Sequence, residues 1–404
     1  MSGYNAVLAR NTEKAPKSSL STQTVAFSHY NNLSAQLPID VATGKLVSGG
    51  AKAQAAQCML NLAHVLDGIS HCLDDTVRLT VMLTDINDLA AVDEAVADCF
   101  QNLYKPVRTS YAVAALPMGA KVQIEALVAN GEGSMPFAAQ AADVRRALRA
   151  VDRDTKKGPV EALSTQTVAF SHYNNLTAQF GTKGGVKEQA QECFANIKDI
   201  LGEIDHIMDH VVRITIFAKS LADIETAKDA YKSAFPGYKP ALTTVCVTGL
   251  PKNALVQVEA VVSHGDGTPP QPIADTVKLV IEANNTDKAP KSDLSTQTCA
   301  FSHYNHISAQ LPTDAKADVK GQTAQCLQQI KDIVESIDHI MGDCVKINIA
   351  LKNVGDLDAV NAAYATFFPG GIPARRVIGV SELAGGASVQ IDAVFGNAEG
   401  TPPK

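Results

Sequence analysis

Leu20 to Pro38 reads LSTQTVAFSHYNNLSAQLP, and the chain writes this stretch three times. It returns as LSTQTVAFSHYNNLTAQF from Leu163 and as LSTQTCAFSHYNHISAQLP from Leu294. The matching serines Ser21, Ser164 and Ser295 are 143 and 131 residues apart (164 − 21 and 295 − 164). Those are whole-domain spacings, well beyond the roughly 20–50 residues of a solenoid or propeller repeat. The expectation is three similar domains in tandem, over 1–133, 134–267 and 268–404.

Within the stretch, TVAFSHYNNLSAQLP reads as two short strands turned at SHYNN, where Ser, His and Asn replace apolar residues. A helix is predicted over about 51–71, because Ala55, Met59, Leu62, Ala63 and Leu66 recur at helical spacing. DDTVRLTVML from Asp74 then has strand character. TDINDLAAVDEAVADCF, KSLADIETAKDAYKSAF and KNVGDLDAVNAAYATFF each predict a second amphipathic helix beginning with Asp or Asn near its N-terminus, where a short acceptor can satisfy free backbone donors.

Each repeat closes on VRTSYAVAALPMGAKVQIEALVA or a close copy, read as a hairpin. Alternation puts Val122, Ile124, Ala126 and Val128 on one face, with Gln123 and Glu125 on the other. Each domain is therefore an α+β unit, a mainly antiparallel sheet with two helices on one face. The second face mixes polar and apolar residues and needs cover, which sister domains can supply.

The chain has 404 residues, 46% hydrophobic and 19% charged, which suits soluble globular domains of about 100–150 residues. A net charge of −7 without Lys/Arg runs argues against nucleic acid as a partner. The N-terminus lacks the apolar core of a signal peptide and no apolar segment is long enough to span a bilayer, so no membrane and a cytoplasmic location are expected. Gly/Pro-rich segments near Pro136 and Pro269 read as linkers, the following ADVRRALRAV and IADTVKLVIEA as short elements of the next domain. The RRALR cluster reads as a solvated face.

Eight cysteines lack CxxC pairing, and Cys58, Cys193 and Cys326 fall at matching helix positions, a pattern of buried thiols in a reducing compartment. His29, His172 and His303 recur in the SHY triplet without a partner at metal-ligand spacing, and no metal is expected. His206 and His339, near helix ends, read as solvated or capping imidazoles.

The LPxD segment after paired strands, the AQxxQCxxNL helix, the second helix ending in CF or FF, and above all PVRTSYAVAALPxxAKVQIEALV resemble the YjgF/RidA (Rid) family, formerly endoribonuclease L-PSP. The resemblance covers nearly all of each repeat. It implies a chorismate-mutase-like fold arranged as an intramolecular pseudo-trimer, with sheets lining a central barrel and ligand clefts between neighbours. It also implies hydrolysis of reactive 2-imino acids, in equilibrium with enamines, to 2-keto acids and ammonia, without metal or cofactor.

One hairpin carries the chemistry in this reading. Arg108 and Glu125 are 17 apart, as are Arg375 and Asp392; with the turn near Leu116 to Met118, Ser110 is expected opposite Glu125, and Arg108 diagonal to it on the same face. A guanidinium fork suits a substrate carboxylate, and a neighbouring carboxylate suits a hydrolytic water. The residues alone favour a structural ion pair; the resemblance favours catalysis by Arg108 and Glu125, with Ser110 and Ser21 or its copies lining the site. The third repeat keeps Arg375 with Asp392 as a second substrate site. The second is degenerate, with Leu242 at the arginine position beside Glu259. A non-catalytic binder of small carboxylates is the alternative, and ribonuclease activity the weakest reading.

Overall fold

The computed structural model describes residues 7–100, 105–130, 150–264, 281–371 and 373–397. The expected boundaries at 133/134 and 267/268, Pro136, Pro269 and the RRALR cluster lie outside them.

In the first repeat the strands Thr24–Phe27 and Tyr30–Leu33 turn at Ser28 and His29, as SHYNN predicts. Ser28 has φ +49°, and its counterparts Ser171 and Ser302 have +50° and +48°, a left-handed conformation that a non-glycine residue adopts at a cost. The full sheet runs Leu8–Arg10, Thr24–Phe27, Tyr30–Leu33, Val122–Ala129, Thr76–Leu83, Val107–Ala112. Neighbours are antiparallel except the last pair, which is parallel. The same order recurs in the other repeats, whose first strands, Val151–Arg153 and Glu282–Asn284, come from the segments assigned by sequence to the following domain.

The closing segment is not a hairpin. Strand Thr76–Leu83 lies between Val107–Ala112 and Val122–Ala129 and pairs with both. The reason is the helix Leu89–Ala97, which carries the chain from Thr76–Leu83 to a parallel neighbour, as a crossover must. The chain then returns over the Pro117–Gly119 turn to the other side of the central strand. Thr80 is consequently opposite both Glu125 and Thr109, whereas Arg108 aligns through Leu79 with Ala126. Arg108 and Glu125 stand on opposite faces of the sheet.

Two helices cover one face of each sheet: Ala51–Asp67 and Leu89–Ala97, Val186–Glu203 and Leu221–Ala234, Val319–Glu335 and Leu357–Phe367. Their apolar stripes bury Leu62, Leu66, Leu79, Ile124 and Val128 in the first repeat, with equivalent cores in the others. Asp85 and Asn353 accept backbone N–H bonds at the start of the second-helix segment, the capping role expected of Asp or Asn there; in the second repeat Ser220 takes that role instead, accepting from the Asp223 amide. Cys58, Cys193 and Cys326 are wholly buried against these sheets. Burial pushes the thiols of Cys193 and Cys326 up to about 12, which keeps them protonated and inert.

The other faces of the three sheets meet on a common axis. Val25, Phe27 and Tyr30 pack there with Val168, Phe170, Tyr173, Phe301 and Tyr304 in one core drawn from all repeats. Tyr30 donates to the carbonyl of Phe170, Tyr173 to that of Phe301, and Tyr304 to that of Phe27, which closes a ring from repeat one to two to three and back. The repeats form the pseudo-trimer within one chain, each inner face covered by its sisters.

Candidate functional site

Each edge strand docks on the next repeat through the same contacts. The Arg108 amide donates to the Thr177 hydroxyl at 3.0 Å, and Ala178 N–H donates to the Arg108 carbonyl at 3.0 Å. At the other junctions, the Leu242 amide donates to Ser308 Oγ and the Arg375 amide to Ser34 Oγ. The polar side chains supplied from across each interface therefore follow the repeat of the opening sequence.

At the first junction these contacts frame a cleft of about 290 Å³. Repeat one contributes Leu89, Asp93, Arg108 and Ser110; repeat two contributes Ser164, Thr177, Phe180, Lys252 and Gln257. Ser164, the copy of Ser21, lines this cleft from across the interface. Arg108 Nε donates to Ser110 Oγ at 2.9 Å, and its Nη2 meets Asp93 on the second helix. Burial lowers the pKa of this guanidinium and Asp93 opposes the shift, so it stays a cation. Lys252 pairs with Glu161 at 2.8 Å and lies 5.0 Å over the Phe180 ring. Gln257 Oε1 is buried without a hydrogen-bond partner among the described residues.

The third junction differs in one contact. Arg375 Nη2 donates to neutral Asn361 at 2.7 Å where Arg108 meets Asp93, and its guanidinium lies 4.4 Å over Tyr364. Its Nε has no partner among the described residues, and Val377 takes the place of Ser110. The second junction has Leu242, buried in its own repeat's apolar core.

Glu125 is not part of the cleft, which corrects the expected pairing with Arg108. It faces the axis, held by Lys346 at 2.7 Å and by Arg376 at 2.7 Å. Asp392 likewise binds Arg213 at 2.6 Å and Asn348 at 2.8 Å, and Glu259 accepts from Thr109 and pairs with Arg78 at 3.7 Å. Each repeat thus gives a cation to the acid of the next, in a closed ring whose members are buried or partly buried. Burial raises the Glu125 carboxyl, but Arg376 and Lys346 outweigh it and hold the group down at about 2. These carboxylates bind the repeats together. The cleft position belongs to the other inner-face residue, Gln257 of the motif VQVE, whose recurrence as Gln123 and Gln390 is the signal by which sequence reading can find it.

Two histidine readings also change. His206 is buried rather than solvated, its Nε2 3.0 Å from His264 Nδ1 and its Nδ1 3.0 Å from His210 Nδ1. His29, His172 and His303 meet one another on the axis, with ring centroids 5.0–5.3 Å apart. Residues 143 and 131 apart become neighbours only when the three repeats close.

The profile of the family described as Endoribonuclease L-PSP matches residues 12–130, 164–264 and 289–395. The 2-iminobutanoate/2-iminopropanoate deaminase of Capra hircus is 38% identical over 122 residues, 30% of this chain and 88% of the relative. A RutC family protein of Sinorhizobium fredii is 45% identical over 96 residues, 24% of this chain and 75% of the relative. Among solved structures, a Rid family protein of unknown function from Yersinia pestis is 32% identical, matching 31% of this chain and 99% of its own, with TM-score 0.30. No helix among the described residues is long and apolar enough to cross a membrane.

Proposed function

The chain belongs to the endoribonuclease L-PSP (Rid) family, and on that premise we propose that it hydrolyses small 2-imino acids to 2-keto acids and ammonia in the inter-repeat clefts anchored by Arg108 and Arg375. The observation that carries this is a cleft lined both by the buried guanidinium of Arg108 and by an acceptor from the next repeat, Gln257 Oε1, that has no partner among the described residues. The substrate carboxylate takes the guanidinium N–H groups that Ser110 and Asp93 leave over. Ser110 accepts from Arg108 Nε, so its own proton is available to the substrate. Gln257 accepts a hydrogen bond from water and directs its lone pair at the C=N carbon. Water adds to the protonated imine and one of its protons passes to nitrogen; the C–N bond then breaks as the hydroxyl oxygen forms the carbonyl and its remaining proton goes to the departing ammonia, giving ketone and ammonium. Holding water and imine together supplies the acceleration, without requiring a strong base.

A second reading is binding of small carboxylates without turnover. It is favoured by the pairing of both lining carboxylates, Asp93 with Arg108 and Glu161 with Lys252, which leaves no unpaired general base among the described lining residues. Ammonia release from freshly generated 2-iminobutanoate, against a buffer blank, tests the proposal. Release faster than the blank that falls in Arg108→Leu is expected; no release from wild type, with 2-ketobutanoate still bound through Arg108, establishes the second reading instead. Gln257→Glu places a carboxylate in the cleft, and a faster rate in that variant identifies the water-facing position.

A further inference from the structure

We propose that His29, His172 and His303 form a divalent transition-metal site on the pseudo-threefold axis, one ligand from each repeat. Their candidate ligand nitrogens all lie within 4.8 Å of one another. Three imidazoles bound at about 2.0–2.1 Å around a tetrahedral ion have nitrogens roughly 3.4 Å apart. Closing from 4.8 Å to that spacing moves each ring at most about 0.8 Å toward the axis, within the reach of small side-chain rotations.

The surroundings suit ligation. Each histidine sits second in a two-residue turn whose preceding serine has φ near +50° in all three repeats, a recurring strained conformation of the kind that accompanies functional positions. The histidine carbonyls are pinned by backbone N–H groups of Asn130, His264 and Asn397, each at 2.7 Å. The turns are therefore held in place while the rings face inward. His303 is buried, and its Nδ1 has no hydrogen-bond partner among the described residues. His29 and His172 are half-buried, so this end of the axis is reachable from solvent. An all-imidazole set without a carboxylate selects Zn²⁺, Co²⁺, Ni²⁺ or Cu²⁺ over Mg²⁺ and Ca²⁺. The fourth position is left to water. Because the ligands come from three repeats, the ion bridges all of them and binds only the closed pseudo-trimer.

The test is Co²⁺ titration of metal-stripped full-length protein, followed by equilibrium dialysis and visible absorption. One Co²⁺ per chain with tetrahedral-type bands is expected. His29→Gln and His172→Gln, whose rings are partly exposed and tolerant of change, should each weaken binding at least tenfold, and the pair should abolish it. His264→Asn, which restores at the other histidine cluster the residue found in repeats one and three, should bind as wild type. Absence of Co²⁺ binding by folded wild type at millimolar metal overturns the proposal, as does stoichiometric binding unchanged in the His29→Gln/His172→Gln protein or lost in His264→Asn. Circular dichroism of each variant confirms that the comparison is between folded proteins.

Discussion

At the scale of single residues, the two arginines are not equivalent, and the difference inverts the ranking that their sequence neighbours suggest. Arg108 already meets a carboxylate, Asp93, whereas Arg375 donates to neutral Asn361 and rests on Tyr364. A substrate carboxylate therefore meets less competition at Arg375. Arg108→Leu should weaken 2-ketobutanoate binding by about 1.5–3 kcal/mol, roughly one to two decades, and Arg375→Leu by at least as much. Calorimetric titration of the two single variants checks this order; a larger loss in Arg108→Leu contradicts the role given to Asp93. Arg108 and the face of Val122 to Val128 were legible in the sequence, since alternation is local. Its relation to Glu125 was not, because a count of 17 residues assumes adjacent strands, and a crossover helix had placed Thr76–Leu83 between them. Gln257 escaped notice because a neutral amide carries no catalytic expectation by itself.

At the scale of elements, the buried acids of the inner faces hold strand to strand across the axis. Glu125 is met by both Lys346 and Arg376, so Glu125→Gln leaves two buried cations short of a counter-charge and should cost about 3–5 kcal/mol in urea unfolding. The depressed carboxyl also sets a pH dependence. Its folded-state pKa, about 2, lies below the ordinary 4.5; the stabilisation is fully present above about pH 4.5 and is lost as pH falls toward 2. It amounts to roughly 3 kcal/mol on this shift. The stability gap between wild type and Glu125→Gln should narrow between pH 5 and pH 3, and a gap that stays constant contradicts the assignment. Tyr173→Phe removes the donor to the buried Phe301 carbonyl and should destabilise by about 1–3 kcal/mol, read from the same urea curves. The helices, their caps and the SHY turn were readable from period and composition. The ion-pair ring was not, because three of its four cations, Arg78, Arg213 and Lys346, lie on the central strand of each repeat, which reads as simply apolar, and all four, with Arg376 on an edge strand, pair with acids of a different repeat.

At the scale of the whole molecule, the triplicated opening stretch told of three domains, and the need to cover a second sheet face told that they close on one another. What closure assembles lay beyond local reading: the tyrosine ring, the ion-pair ring, the histidine triad and the Arg108 cleft each need residues from more than one repeat. Every functional claim therefore depends on a closed threefold arrangement made by one chain, in which the connecting segments raise the effective concentration of surfaces that already fit. Protease sites introduced at Pro136 and Pro269, outside the described residues, allow both connections to be cut in the folded protein. Light scattering on the cleaved sample should still give one species at 42.6 kDa while a denaturing gel shows three fragments. Separate folded fragments of about a third of that mass, or a smallest species at three times it before cleavage, would contradict the closed single-chain pseudo-trimer.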